Sequence, residues 1–295
     1  MHRRDFLKAG AGAVVASSGC ANHNGFTFVH FTDTHIQPEL RAADGCRQCF
    51  DRINAVRPEF AICGGDLVFD ALETPKPRAK QVYDLYAETT KPLTMPVHTV
   101  IGNHDVFGLS TKSGVSPDEP EYGKKMFEDR IGPRYSSFDH KGWHFVLLDS
   151  IGITPERKYV GGVDDQQLDW LKSDLARAGK QTPIIAVTHI PLVTGMLQIF
   201  PNAWKSPASL VVTNVREVLS LFAPYNVKAV LQGHTHVNET VNYKGCQYIT
   251  TGAVSGNWWK GAHLGHPEGF GVVTVRDGDV HWRYETYGFQ AVPSS

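Results

Sequence analysis

What most constrains this 295-residue chain is a repeated pairing: a short apolar, β-rich run, followed at once by a cluster of Asp, His or Asn. Phe26–Thr32 (FTFVHFT) leads into Asp33-Thr34-His35. Glu59–Cys63 leads into Gly64-Gly65-Asp66, and Val97–Ile101 into Gly102-Asn103-His104-Asp105. Pro183–Val187 precedes Thr188-His189-Ile190-Pro191, and Val227–Leu231 precedes Gly233-His234-Thr235-His236. Helical stretches at about residues 45–56, 80–89, 165–178 and 208–222 fall between the runs. Strands alternating with helices imply crossover connections and a partly parallel sheet. In open α/β sheets ligands bind beyond the carboxyl ends of the strands, so separate strands can deliver separate polar groups to one place.

Elsewhere the chain turns antiparallel. Tyr135–Asp139 and Trp143–Asp149 flank His140-Lys141-Gly142 as a hairpin, and Asp277-Gly278 turns between Val272–Val275 and Val280–Tyr284. From Val237 onward the pattern is mostly β. Asp164 is a good N-cap for a helix over Asp165–Ala178, with Gln167 at the capping-box position. Nothing linker-like divides residues 22–295, which read as one domain with a β-rich C-terminal part.

Each polar cluster taken singly has a plain structural explanation, such as a capping Asp, a turn or a buried His. Together they do not. All five lie at strand ends, and each supplies a donor atom suited to metals. Carboxylate, imidazole and amide oxygen suit Mn, Fe, Zn or Co ions rather than Ca²⁺. No cysteine is among them, which argues against a structural zinc site. The net charge of −1, with no basic stripe, leaves nothing to recruit a nucleic-acid polymer or a membrane surface.

The first 21 residues read as a targeting segment. Arg3-Arg4-Asp5-Phe6-Leu7-Lys8, followed by a weakly apolar run from Ala9 to Ser18, resembles a twin-arginine export signal. That implies the twin-arginine machinery as a partner and a periplasmic location. The run falls short of the ~20 apolar residues that span a bilayer. Ser17-Ser18-Gly19-Cys20 offers Cys20 for lipid attachment, as an alternative to cleavage near Ala21. Of five cysteines, Cys46 and Cys49 share a helix as C-x-x-C, either as a disulfide or as packing, while Cys63 and Cys246 read as strand packing.

Asp33-x-His35, Gly65-Asp66, Gly102-Asn103-His104-Asp105, His189 and Gly233-His234-x-His236 together resemble the calcineurin-like metallophosphoesterase family, over Phe26–His236. The resemblance implies an α/β fold, a four-layer α-β-β-α sandwich of two mixed sheets. It implies two transition-metal ions (Mn, Fe, Zn or Co). One would be held by Asp33, His35, Asp66 and His236, and the other by Asp66, Asn103, His189 and His234, with Asp66 bridging. Such a pair, ~3.5–4 Å apart, shares a hydroxide for in-line attack on phosphorus. His104, outside the ligand set, would meet the substrate with Asn103 and assist the leaving group, and Asp105 would orient it. Phe69 stands where purple acid phosphatases carry a tyrosine ligand, so no iron–phenolate colour is expected.

Within the family, Asn103-His104-Asp105 and the G-x-x-x-x-Q-x-x-W-L pattern of Gly162–Leu171 look most like the class III cyclic-nucleotide phosphodiesterase branch. The expected substrate is a small phosphate ester, foremost a phosphodiester. The alternatives are a phosphomonoesterase with the same core and a non-catalytic scaffold, and the complete ligand set opposes the scaffold. Trp258, Trp259 and Lys260 follow the last cluster in a Gly-rich loop. They read either as substrate contacts, by stacking and by charge, or as packing. His263 and His266 read as loop histidines. No interface signal fixes the oligomeric state.

Overall fold

The computed structural model describes residues 25–200, 205 and 207–292. The twin-arginine-like segment and Cys20 lie outside the described residues. Strand β1 (Phe26–Phe31) is apolar on both faces and buried on both: Phe26 and Phe28 face one way, Val29 and Phe31 the other. A strand of this kind needs a layer on each side. One side is a second sheet and the other is helix.

In the first sheet, β1, β2 (Ala61–Cys63) and β3 (Val97–Thr99) run parallel. Strands β12 (Gly269–Arg276) and β13 (Asp279–Thr286) add antiparallel beside β1. The second sheet has four parallel middle strands, β11 (Cys246–Thr250), β9 (Asn226–Gln232), β8 (Pro183–Thr188) and β5 (Trp143–Leu148). Its antiparallel edges are β10 (Glu239–Tyr243) and β4 (Ser136–His140). Between the sheets, Phe26, Phe28, Phe60 and Ile62 meet Trp143, Phe145, Leu147, Ile185 and Leu231. Phe145 sits edge-to-face on both Phe28 (5.5 Å, 89°) and Phe60 (5.3 Å, 84°), a favoured aromatic geometry.

On the outer faces lie α1 (Ala42–Val56) and α2 (Lys76–Thr90) against the first sheet, with Phe50 of α1 packed edge-on against Phe31. The second sheet carries α4 (Asp165–Ala178) and α6 (Val215–Phe222), whose Leu171, Leu175, Val218 and Phe222 join the same core. The result is the expected α-β-β-α arrangement of two mixed sheets. Short helices α3 (Lys125–Arg130) and α5 (Met196–Ile199) and the hairpin of β6 (Ile151–Ile153) with β7 (Tyr159–Gly161) fill the connections. Among the described residues no helix is long and apolar enough to cross a membrane.

Several local expectations hold and several do not. Lys141 (φ 47°) with Gly142 (φ 81°), and Asp277 (φ 55°) with Gly278 (φ 83°), are the left-handed pairs that tight hairpins require. Helix α1 begins at Ala42 rather than Gly45, because Arg41 enters it from φ 58° without any side-chain cap. Helix α6 begins only at Val215, not Ala208. Pro207–Ser209 form only a 3₁₀ turn, and Val212 and Thr213 then donate their backbone N–H groups to Pro191 and Gly161, which keeps the α-helix from starting earlier. Asp164 caps α4 by accepting from the Gln167 N–H at 2.9 Å. The reciprocal half of the box is missing. The Gln167 side chain pairs with both backbone groups of Asp149 (2.9 and 2.8 Å), which ties α4 to the end of β5. Cys46 and Cys49 are free, buried thiols on α1 that burial pushes well above the usual thiol pKa, so they pack.

Candidate metal centre

All five polar clusters fall just past strand carboxyl ends: β1, β2 and β3 in one sheet, β8 and β9 in the other. Leaving a strand abruptly needs unusual backbone. Asp33 (φ 56°), His35 (φ 39°), Asp66 (φ 53°), His234 (φ 71°) and His236 (φ 57°) all occupy the left-handed region. Such conformations cost about 1–2 kcal/mol each for residues with a Cβ, and they concentrate where surrounding structure imposes them. Gly102 permits the closest approach, since a Cβ there would lie 2.1 Å from Asp66 Oδ1.

Three overlapping groups of donors result. Asp33, His35 and His236 offer ligand atoms that all lie within 4.8 Å of one another, and so do Asp66, His189 and His234, and His35, Asp66 and His104. Asp66 Oδ2 joins them, lying 3.5 Å from His35 Nε2 and 3.2 Å from His189 Nε2. His236 Nε2 is 3.0 Å from His35 Nε2 and 3.3 Å from Asp33 Oδ1. Asn103 is buried beside them, on the turn whose His104 N–H donates to Asp66 Oδ1 at 2.8 Å.

The hydrogen bonds behind the cluster set its chemistry. His189 Nδ1 lies 2.8 Å from the Gly64 carbonyl, His236 Nδ1 2.6 Å from that of Gly256, and His234 Nε2 2.9 Å from that of Ser209. A carbonyl only accepts, so these nitrogens carry the protons and the opposite nitrogens present lone pairs inward. Asp33 Oδ2 accepts from Thr32 (2.7 Å) and from the His234 N–H (3.0 Å), which leaves Oδ1 facing the cluster.

Burial pushes His35 and His234 down to about 4, so both are neutral donors. Burial also opposes ionised Asp33 and Asp66, yet the imidazoles around them hold both carboxyls below the usual range. Burial disfavours charge on His189, but Asp66 and Asp33 outweigh it and raise the pKa to about 9. Something positive therefore belongs at His189 Nε2, either a proton or a metal ion. Asp33 Oδ1, Asn103 Oδ1 and His189 Nε2 are buried with no hydrogen-bond partner, an expensive condition that cations would relieve. The residues fit a pair of transition-metal ions.

The seven expected ligands thus come together, but not all the other assignments survive. His104 stands at the edge of the cluster, its ring centroid 4.8 Å from that of His35. Asp105 does not touch it. Its carboxylate accepts from the backbone N–H groups of Leu67 (2.8 Å), Val68 (3.3 Å) and Gly102 (2.8 Å), lacing two ligand loops together. The carboxylate near His104 is Asp70, whose Oδ2 lies 3.6 Å from His104 Nδ1. Burial works against a charged His104, but Asp66 and Asp70 outweigh it and raise its pKa.

The two tryptophans divide. Trp259 is fully buried, and its N–H donates to the Thr34 and His35 carbonyls at 3.1 Å each, so it packs and does not meet substrate. Trp258 and Lys260 line a cavity of about 440 Å³ with Gln37, Leu40, Phe69 and His104. Gln37, Leu40 and Asp70 were missed, and only the cavity reveals the first two. His263 and His266 pair across a loop bridge, and His263 stacks edge-on near Trp258 (5.8 Å, 86°).

A four-layer α/β sandwich that brings Asp66 between His and Asp side chains able to hold metal ions has the architecture of a metal-dependent hydrolase. Residues 26–238 match the family model described as calcineurin-like phosphoesterase, and the chain belongs to that family. It is similar to the 3′,5′-cyclic adenosine monophosphate phosphodiesterase CpdA of Haemophilus influenzae, 28% identical over 201 residues, covering 66% of this chain and 61% of that one. It is also similar to the serine/threonine-protein phosphatase CPPED1 of Bos taurus, 27% identical over 255 residues, covering 84% of this chain and 74% of that one. Among solved structures, a dimetal phosphatase from Danio rerio superposes with a TM-score of 0.62 at 17% identity, covering 89% and 96% of the two chains. The purple acid phosphatase PPD1 of yellow lupin does so with 0.59 at 16% identity, covering 90% and 52%. These two likenesses speak to the fold.

Proposed function

We propose that the chain is a phosphodiesterase acting on small nucleotide diesters, with 3′,5′-cyclic nucleotides as the leading class. The observation that carries this is Asp66 lying between His35 and His189 of the clustered donors, with His104 beside it on the wall of the adjoining cavity. Two bound metal ions would neutralise the phosphate and acidify water at neutral pH. Asp33, His35 and His236 would hold one, Asn103, His189 and His234 the other, and Asp66 both. The donor set suits Mn, Fe, Zn or Co.

The remaining work falls to the chain itself. The Gly64, Gly256 and Ser209 carbonyls fix which imidazole nitrogen faces inward. His104 stands beside the cluster with Asp70 Oδ2 3.6 Å from its Nδ1, placed to carry a proton. As water adds to phosphorus and the ester P–O bond breaks, His104 gives that proton to the departing alcohol oxygen. Relatives named as cyclic AMP phosphodiesterases support a diester, and a relative named as a phosphatase supports a monoester.

Bis-p-nitrophenyl phosphate against p-nitrophenyl phosphate, across protein loaded with Mn²⁺, Fe²⁺, Zn²⁺ or Co²⁺, tests the reading. A higher kcat/KM on the diester is expected. Monoester preference overturns the diester reading, and no turnover with any metal leaves a phosphate-binding scaffold. We also place the enzyme in the periplasm through twin-arginine export, on the Arg3-Arg4 segment alone, with Cys20 as a possible lipid site. Cell fractionation that finds full-length protein in the cytoplasm contradicts this.

A further inference from the structure

We infer that Phe69 and Trp258 form a slot for the planar base of a nucleotide, on the leaving-group side of the centre, and thereby set its specificity. This rests on the phosphodiesterase reading and adds the residues that choose the substrate. Both rings lie against His35, Phe69 at 5.9 Å and Trp258 at 5.8 Å between centroids. Among the described residues no ring contact joins them to each other, and both border one open space beside His35. That space belongs to the 440 Å³ cavity, within the roughly 300–1,000 Å³ of small-molecule sites.

Both rings are only half-buried. Trp258 is held from behind: its backbone sits at φ 48°, and its ring rests on His236 at 4.5 Å. Leu40 contributes an apolar surface, Gln37 an amide able to pair with a base edge, and Lys260 an exposed cation. His104 lines the same cavity. Whatever fills the slot therefore lies beside His104. Two aromatic walls with an amide nearby favour a flat heterocycle over an aliphatic alcohol such as a glycerol or choline headgroup.

The test compares 3′,5′-cyclic AMP with methyl ribofuranoside 3′,5′-cyclic phosphate, which keeps the reacting atoms and lacks the base. Metal-loaded protein should prefer cyclic AMP in kcat/KM on the order of tenfold, the scale of one base stacked on aromatic rings. Most of that preference should lie in KM. Phe69→Leu and Trp258→Leu should each cut the ratio severalfold, and Trp258→Phe should largely restore it. Equal use of the two esters by the wild type, or a ratio unchanged in both leucine variants, overturns the slot. Calorimetric binding of AMP and ribose 5-phosphate reads the same preference without turnover. A base preference in binding that disappears in the leucine variants, with no diester hydrolysed, sinks the phosphodiesterase reading and keeps the slot. No base preference in binding sinks the slot whatever the turnover.

Discussion

Replacing Trp258 and Trp259 one at a time by alanine should give opposite outcomes, although the two are neighbours. Trp259 has no exposed surface, and its ring meets Phe289 edge-on at 5.1 Å. A Cβ on Gly45 would come within 2.2 Å of that ring, so it fills the space against α1 completely. Its N–H holds the Thr34 and His35 carbonyls at 3.1 Å, within the first ligand loop. Deleting a buried aromatic of this size costs about 3–5 kcal/mol through lost transfer energy and the cavity left behind. The two released carbonyls put Trp259→Ala at the upper end, about 4–5 kcal/mol. A chain of this size moves by roughly 2 °C per kcal/mol, so the melting midpoint should fall by about 8–10 °C. Trp258 is half-buried on the cavity wall, and Trp258→Ala should cost about 1 kcal/mol, roughly 2 °C. Urea unfolding and scanning calorimetry measure both. Equal losses for the two variants, or a larger loss at Trp258, would refute the division of labour.

Three further outcomes follow. His104→Ala should keep its metal, since His104 is outside the ligand set, and lose about 10²–10⁴-fold in kcat on a diester; unchanged turnover removes it from the mechanism. His144 is buried between Asp139 Oδ1 (2.6 Å from Nδ1) and Asp174 Oδ2 (2.8 Å from Nε2), with Ser137 and Arg177 also on Asp174. Burial opposes its charge, but Asp174 and Asp139 outweigh burial and raise its pKa above 6.5. The stabilisation is complete below pH 6.5 and is lost as pH rises through the raised value. The stability advantage over His144→Gln should therefore shrink as pH rises above about 6.5, and parallel Tm–pH curves for the two proteins would contradict this. Phe69 has no oxygen to ligate, so iron-loaded protein should lack an intense visible charge-transfer band; a purple sample disproves the ligand set.

The ligand loops were legible in the sequence because their residues have few other reasons to follow β-runs. Asp33, Asp66 and His236 each break a strand with side chains that pack poorly, and the backbone bends there into left-handed conformations. A buried, partly parallel sheet was legible in β1, where Phe26, Phe28, Val29 and Phe31 leave no polar face to water, while the second sheet was implied only by the family resemblance. What sequence does not show is direction within a short turn. Asp105 follows His104, but the turn over Asn103–Asp105 is a 3₁₀ helix, which swings neighbouring side chains about 120° apart. Asp105 therefore points back at Leu67, and Asp70, from another loop, comes near His104. The same holds for Trp258 and Trp259, whose loop sends one ring to the cavity and the other to the core. Residues 208–214 look helical by composition, yet long-range backbone bonds to Pro191 and Gly161 override that preference.

The central claim is that one carboxylate serves two cations. Metal analysis of protein reconstituted with a single transition metal tests it most directly, by mass spectrometry of the intact chain and by elemental content. Two ions per wild-type chain are expected, falling to one or none in Asp66→Ala while Asp105→Asn keeps both. A wild-type chain that takes up no transition metal under any loading condition, or an Asp66→Ala chain that still holds two, would contradict the account.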